Sequence, residues 1–155
     1  MDEFDRKILN QVQKNSRLTA EQLSQEVGLS PSACHRRLTK LHNTGVIERN
    51  ISVVSPETVG RQLMMIVEIT LEREHPNVLI DFKRLIKATP EVMQCYYVTG
   101  EVDFILILTA RDMKHYEEFS QQYFFGNPDI RRFHTMVVMD RIKQGLAVPI
   151  EVDAV

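Results

Sequence analysis

The sequence predicts an α+β fold in two parts, an N-terminal all-α winged helix-turn-helix domain followed by a ferredoxin-like βαββαβ domain. Three observations predict it. From residue 2 to about residue 45 the apolar residues recur at helical spacing, with no β-branched alternation among them. Two of the short helices in that stretch are joined across Gly28 by a four-residue turn. After about residue 47 the pattern changes to strand and helix signals in the order β-α-β-β-α-β. The expected boundaries are 1–50 for the first domain, 51–62 for a connecting strand and linker, and 63–155 for the second.

In the first helix Asp2 is the expected N-cap, Asp5 adds negative charge to the first turn, and Phe4, Ile8, Leu9 and Val12 form one apolar stripe. The second opens at Thr19 with Gln22 three residues on, a capping-box spacing, and Gly28 ends it. The third starts at Ser30-Pro31 and runs to Thr44, with Gly45 as its left-handed stop and Cys34, Leu38 and Leu41 as its buried stripe. Ile47 to Val54 reads as a strand. Met65, Val67, Ile69 and Leu71 alternate with polar residues in the next one, and Val78, Leu79, Phe82, Leu85 and Ile86 mark an amphipathic helix between Pro76 and Pro90. Strands are expected over Glu91–Val98, Phe104–Thr109 and about Arg131–Lys143. Between the last two, a helix capped by Asp112 ends at Gly126-Asn127-Pro128. Both helices should cover one face of the sheet. The other face, with apolar residues among Tyr96, Val98, Met136, Val138 or their neighbours, calls for a partner subunit.

At 155 residues, 43% of them hydrophobic and 26% charged, the chain is long enough to bury a real core. A formal net charge of -2 excludes a protein whose bulk composition advertises nucleic-acid binding, so any such surface is local. The charge is in fact divided. Residues 1–50 hold 8 Lys and Arg against 6 Asp and Glu, whereas residues 51–155 hold 11 against 15. Cys34 and Cys95 are too few for a disulfide scaffold and have no C-x-x-C spacing, which favours a reducing compartment and no structural zinc. The longest apolar run, Phe104 to Leu108, falls far short of a membrane span, and the acidic Met1-Asp2-Glu3-Phe4-Asp5 is unlike a signal peptide. A soluble cytoplasmic protein is expected.

In a helix-turn-helix the second member lies in the major groove and its N-terminal residues meet base edges. The exposed positions there are Ser30, Ser32, Ala33, His35, Arg36, Arg37 and Lys40, and from residue 31 to 49 the charged residues are Arg36, Arg37, Lys40 and Arg49 against Glu48 alone. Arginine can fork onto guanine O6 and N7, and a good bidentate pair contributes roughly 1–3 kcal/mol of base discrimination. Lys40, Thr19 and the amides opening the helix suit phosphates. The competing reading is a merely solvated basic face, which the glycine turn and the serine-proline start make much the weaker one.

Asp5-Arg6-Lys7-Ile8-Leu9, Asn15-Ser16-Arg17-Leu18-Thr19, Val27-Gly28-Leu29-Ser30-Pro31-Ser32-Ala33-Cys34, Arg36-Arg37-Leu38 and Gly45-Val46-Ile47 together resemble the DNA-binding half of the Lrp/AsnC, or feast/famine, transcription regulators. The resemblance continues in Val98-Thr99-Gly100-Glu101-Val102-Asp103-Phe104, which is similar to the Gly-x-x-Asp-aromatic turn of the family's ligand-sensing domain, with Phe104 for the more frequent tyrosine. It covers Asp2 to about Pro149. The resemblance implies double-stranded DNA as partner, an amino-acid effector rather than a cofactor, no enzymatic activity, and sheet-mediated homodimers that assemble into tetramers, octamers or open helices.

Amino acids bind between dimers near the glycine turn in that family, and the residues here suit the chemistry. Backbone N–H groups at Gly100 and Glu101 can hold a carboxylate and Asp103 an α-ammonium. Thr99 and Thr135 are candidate hydroxyl donors, and Val98 or Val137 can line a side-chain pocket. Read without the resemblance, Gly100 is an ordinary hairpin turn and Asp103 a turn cap. Two other functions remain open. Some tetrapyrrole decarboxylases resemble this family, and His134 beside Arg131-Arg132 could engage substrate carboxylates; an architectural DNA-binding protein with an idle pocket is the third reading. The five histidines show no metal-ligand spacing, and the strand methionines, the cysteines and the Tyr96-Tyr97 and Tyr123-Phe124-Phe125 clusters read as packing.

Overall fold

Helix α1 (Glu3–Val12) begins with a complete capping box: the Asp2 side chain accepts from the Asp5 N–H at 2.9 Å and the Asp5 side chain from the Asp2 N–H at 3.1 Å. Helix α2 (Ala20–Val27) repeats the device with Thr19 and Gln22, and Gly28 ends it at φ 73°, a conformation that favours glycine. Helix α3 (Pro31–Asn43) has Ser30 as N-cap and Pro31 in its first turn. Such caps contribute about 1 kcal/mol each, useful in helices this short. Their stripes converge on one small core of Ile8, Leu9, Leu23, Val27, Cys34 and Leu41.

The computed structural model describes residues 1–72 and 75–152. The chain forms two units, Met1–Val53 together with the segment that begins at Lys143, and Val54–Ile142. The C-terminal segment, expected with the second domain, thus packs on the first. Ile150 lies against the helical core, Asn10 Nδ2 donates to the Ile150 carbonyl at 3.0 Å, and the Gln13 amide exchanges two hydrogen bonds with the Val148 backbone. The Gln13 side chain there imitates a neighbouring strand.

The second unit contains β1 (Leu63–Leu71), α4 (Pro76–Lys87), β2 (Val92–Tyr97), β3 (Phe104–Ala110), α5 (Met113–Ser120) with a π-helical turn over Gln121–Phe125, and β4 (Ile130–Val137). The strands form one antiparallel sheet in the order β2-β3-β1-β4, the ferredoxin-like order. Met65, Val67, Ile69, Leu71, Phe104, Leu106 and Leu108 turn inward to Phe82, Ile86, Tyr116, Phe119 and Phe124. The aromatic residues fix this layer: Phe82 and Phe104 lie 4.7 Å apart, and Phe124 stands edge-on to Phe119 at 5.3 Å.

Two strand expectations need correction. Ile47–Val54 is not a strand: Ile51, Val53 and Val54 are exposed, and no described strand pairs with this segment. β-branched composition alone does not satisfy the backbone of an isolated strand. The last strand stops at Val137 rather than near Lys143, where its pairing with β1 runs out at Met65. On the open sheet face, register aligns Ile66 with Ile107 and Met136, and Glu68 with Ile105 and His134. Tyr96 opposite Ile105 extends the row.

Candidate DNA-recognition helix and effector turn

Burial of Cys34 and Leu41 orients α3 and sends the opposite side to solvent. Ser32, His35, Arg36 and Lys40 are exposed there, and Ala33 is half-buried. Thr39, absent from the sequence-derived set, is exposed three residues after Arg36 and four after His35, so it shares their face. Its helical spacing was the available signal. Ser30 and Thr19 are also exposed, but their oxygens accept from the N–H groups of Ala33 and Gln22, each at 3.3 Å. They serve as caps first.

Arg37 departs from the expected set. Its Nη1 lies 2.7 Å from Asp5 Oδ1 and 2.7 Å from Asp2 Oδ2, and the guanidinium stands over the Phe4 ring. With a side chain only 24% exposed, it fastens α3 to the start of α1 instead of reaching outward. The Asp5 and Asp2 hydrogen bonds hold its pKa above the ordinary arginine value. For Asp2, the Asp5 backbone N–H and the Arg37 guanidinium lower the pKa below the ordinary carboxylate value.

The Val98–Asp103 turn closes with the Val98 N–H donating to the Asp103 carbonyl at 2.9 Å. Gly100 has φ 130°, and nothing within 4 Å would meet a Cβ there, so backbone conformation rather than space requires glycine. The N–H groups of Thr99, Gly100 and Glu101 donate to no described residue. Asp103 is partly committed: its Oδ2 accepts from the Leu71 N–H at 2.7 Å, while its own N–H donates to the Ile69 carbonyl at 2.9 Å. The carboxylate therefore ties the turn to the end of β1.

Thr135 and Val137 pair with Val67 and Met65, the inward residues of β1, and so lie on the helix side of the sheet. The Thr135 hydroxyl contacts that of Tyr116, whose pKa burial pushes up. Val98 is half-buried at the turn. His134 faces Glu68 across the open sheet face, with Nδ1 and Oε2 3.4 Å apart.

A family model described as the Lrp/AsnC ligand binding domain matches residues 64–148, and one described as winged helix-turn-helix DNA-binding matches residues 1–48. The chain belongs to the Lrp/AsnC family. It is 56% identical over 152 residues to an uncharacterised helix-turn-helix-type transcriptional regulator of Sinorhizobium fredii, covering 98% of this chain and 90% of that protein. To the leucine-responsive regulatory protein of Escherichia coli it is 33% identical over 144 residues, 93% of this chain and 88% of that one. A transcriptional regulator of Neisseria meningitidis, solved as a complex with L-methionine, superposes with a TM-score of 0.91 at 32% identity, covering 96% of both chains. This Lrp/AsnC protein is accordingly a transcriptional regulator with a DNA-binding and a ligand-binding domain, not an enzyme. The decarboxylase reading falls with that result. No helix among the described residues is long and apolar enough to cross a membrane.

Proposed function

We propose that this Lrp/AsnC regulator is a cytoplasmic homodimer, assembling further into a tetramer or octamer, whose α3 helices read double-stranded DNA under the control of an amino acid. The observation that carries the reading is the exposed row Ser32, His35, Arg36, Thr39 and Lys40 on a helix locked by caps and a glycine turn. Arg36 reads bases, Lys40 and the helix-opening amide at Ser32 hold phosphates, and Ser30 and Thr19 border the contact as caps. Arg37 is left out of the direct contacts because two carboxylates already occupy it.

The effector's carboxylate is held by the open N–H groups of Thr99, Gly100 and Glu101, and the second oxygen of Asp103 receives its ammonium. Val98 lines the site. Thr135 and Val137, on the helix side of the sheet and further along β1, are left out of the direct contacts. The apolar row of Ile66, Ile105, Ile107, Met136 and Tyr96 supplies the dimer surface, and the ammonium-carboxylate pairing agrees with the L-methionine seen in the Neisseria relative. An effector alters DNA binding only by preferring one assembly over another, typically a 5- to 150-fold coupling.

Anisotropy of a duplex selected from a random library, titrated with the protein beside each of the common amino acids, tests this reading. An affinity change of roughly fivefold or more with one class of amino acid is expected. Equal binding to unrelated duplexes, insensitive to every amino acid, would instead make the protein an architectural one.

A further inference from the structure

The second unit has a cavity of about 290 Å3 at the other end of β1 from the Gly100 turn. Leu63 and Leu71 bound a strand roughly 25 Å long, so the two places are separate. The residues before β1, the start of β1 itself and those after β4 form the cavity, with Glu57, Arg61, Gln62, Met64, Asp140 and Arg141 in its wall. The first rim is shaped by a 3-10 turn at Glu57–Val59 and by Gly60 at φ 77°, after which the Arg61 N–H returns to the Pro56 carbonyl at 2.8 Å.

Its charges are not equivalent. Arg141 Nη2 is already paired with Glu57 Oε1 at 2.8 Å. Arg61 Nη1 is buried and has no hydrogen-bond acceptor among the described residues. Buried polar groups are normally satisfied, and a guanidinium more urgently than a neutral group, so an arginine short of an acceptor beside a cavity favours an anionic group there. Asp140 lines the same cavity, and no described residue forms a hydrogen bond or ion pair with its side chain.

We infer that this cavity is a second small-molecule site, binding an α-amino acid with its carboxylate on Arg61 and its ammonium on Asp140. A guanidinium fork suits a carboxylate, and the cavity's volume of about 290 Å3 lies just below the roughly 300–1,000 Å3 typical of ligand pockets. Glu57 and Asp140 oppose a phosphate, which carries negative charge without a compensating cation. Met64 and Val138 offer apolar contact to a short side chain. The ligand class rests on the amino-acid reading above; the place does not.

Calorimetric titration of the full chain with L-methionine, and with its deaminated counterpart 4-(methylthio)butanoate, tests the site in Arg61→Gln, Asp140→Asn and Asp103→Asn beside the wild type. Two binding events per chain are expected in the wild type, and Arg61→Gln should weaken one of them at least about tenfold for both probes. Asp140→Asn, an exposed change with circular dichroism as its folding check, should weaken L-methionine alone at that event. Asp103→Asn should spare it. Loss of all binding in Asp103→Asn with unchanged titration of both other variants would overturn the second site and leave the Gly100 reading standing. No heat from the wild type with either probe would overturn both. Altered oligomeric state in Arg61→Gln with an unchanged titration would also overturn it, because the open N–H would then belong to contact with a second copy.

Discussion

Arg37 Nη1, on α3, lies 2.7 Å from Asp5 Oδ1 on α1, whose side chain is only 7% exposed. Asp5 is at once a capping-box residue and the carboxylate that Arg37 neutralises. Removing the cation leaves a nearly buried carboxylate with one fewer donor. Arg37→Met should therefore destabilise the first unit by about 1–3 kcal/mol, below the cost for a fully buried pair because the arginine is partly solvated. Urea denaturation followed by circular dichroism measures it, and Asp5→Asn in the Arg37→Met background should recover part of the loss.

Acid should act on the same corner. The folded state lowers the pKa of Asp2 below its ordinary 3.8, chiefly through the Asp5 backbone N–H and then through Arg37. A lowered carboxylate contributes stability that is present above the unfolded value and lost as pH falls through the folded one. Denaturation midpoints recorded from pH 6 down to pH 2 should fall below about pH 4 in the wild type. In Asp2→Asn the midpoint should start lower and show less of this decline.

The C-terminal segment should behave as part of the DNA-binding unit. Gln13→Ala removes both hydrogen bonds to Val148 and should cost that unit about 1 kcal/mol, while truncation before Gly145, which also strips Ile150 from the helical core, should cost about 1–3 kcal/mol. Thermal melting of the truncated chain should show a lowered helical transition with the sheet transition unchanged.

The two thiols should separate by access. Cys34 is fully buried in the helical core, Cys95 is exposed on β2, and burial pushes the pKa of both upward. Titration with a disulfide reagent should count one thiol in the native protein, reacting faster as pH rises, and the second only in denaturant.

The helices were legible because their information is local. The Asp2, Thr19 and Ser30 caps and the Gly28 stop lie within a few residues of what they satisfy. The buried face of β1 followed as readily, since the alternation of Met65, Val67, Ile69 and Leu71 leaves one packing face. What escaped depends on distant partners. Helical spacing put Arg37 beside Arg36 without revealing that α1 brings two carboxylates to it. Nothing local connects Gln13 to Val148, or the rim at Arg61 to Asp140. The sequence offers Asp103 as a ligand carboxylate or a turn cap, and its bond to the Leu71 N–H appears only once β3 is paired to β1. Ile47–Val54 has strand composition, but pairing decides a strand and no described partner is there.

The most direct measurement of the central claim compares Arg36→Ala and Lys40→Ala with the wild type, on a selected duplex and on random duplex, over a salt titration. Arg36→Ala should lose roughly 1–3 kcal/mol more on the selected duplex than on the random one. Lys40→Ala should weaken both alike and reduce the salt slope by about one. Equal losses on the two duplexes for Arg36→Ala, or none on either, would contradict the assignment of α3 as the helix that reads sequence.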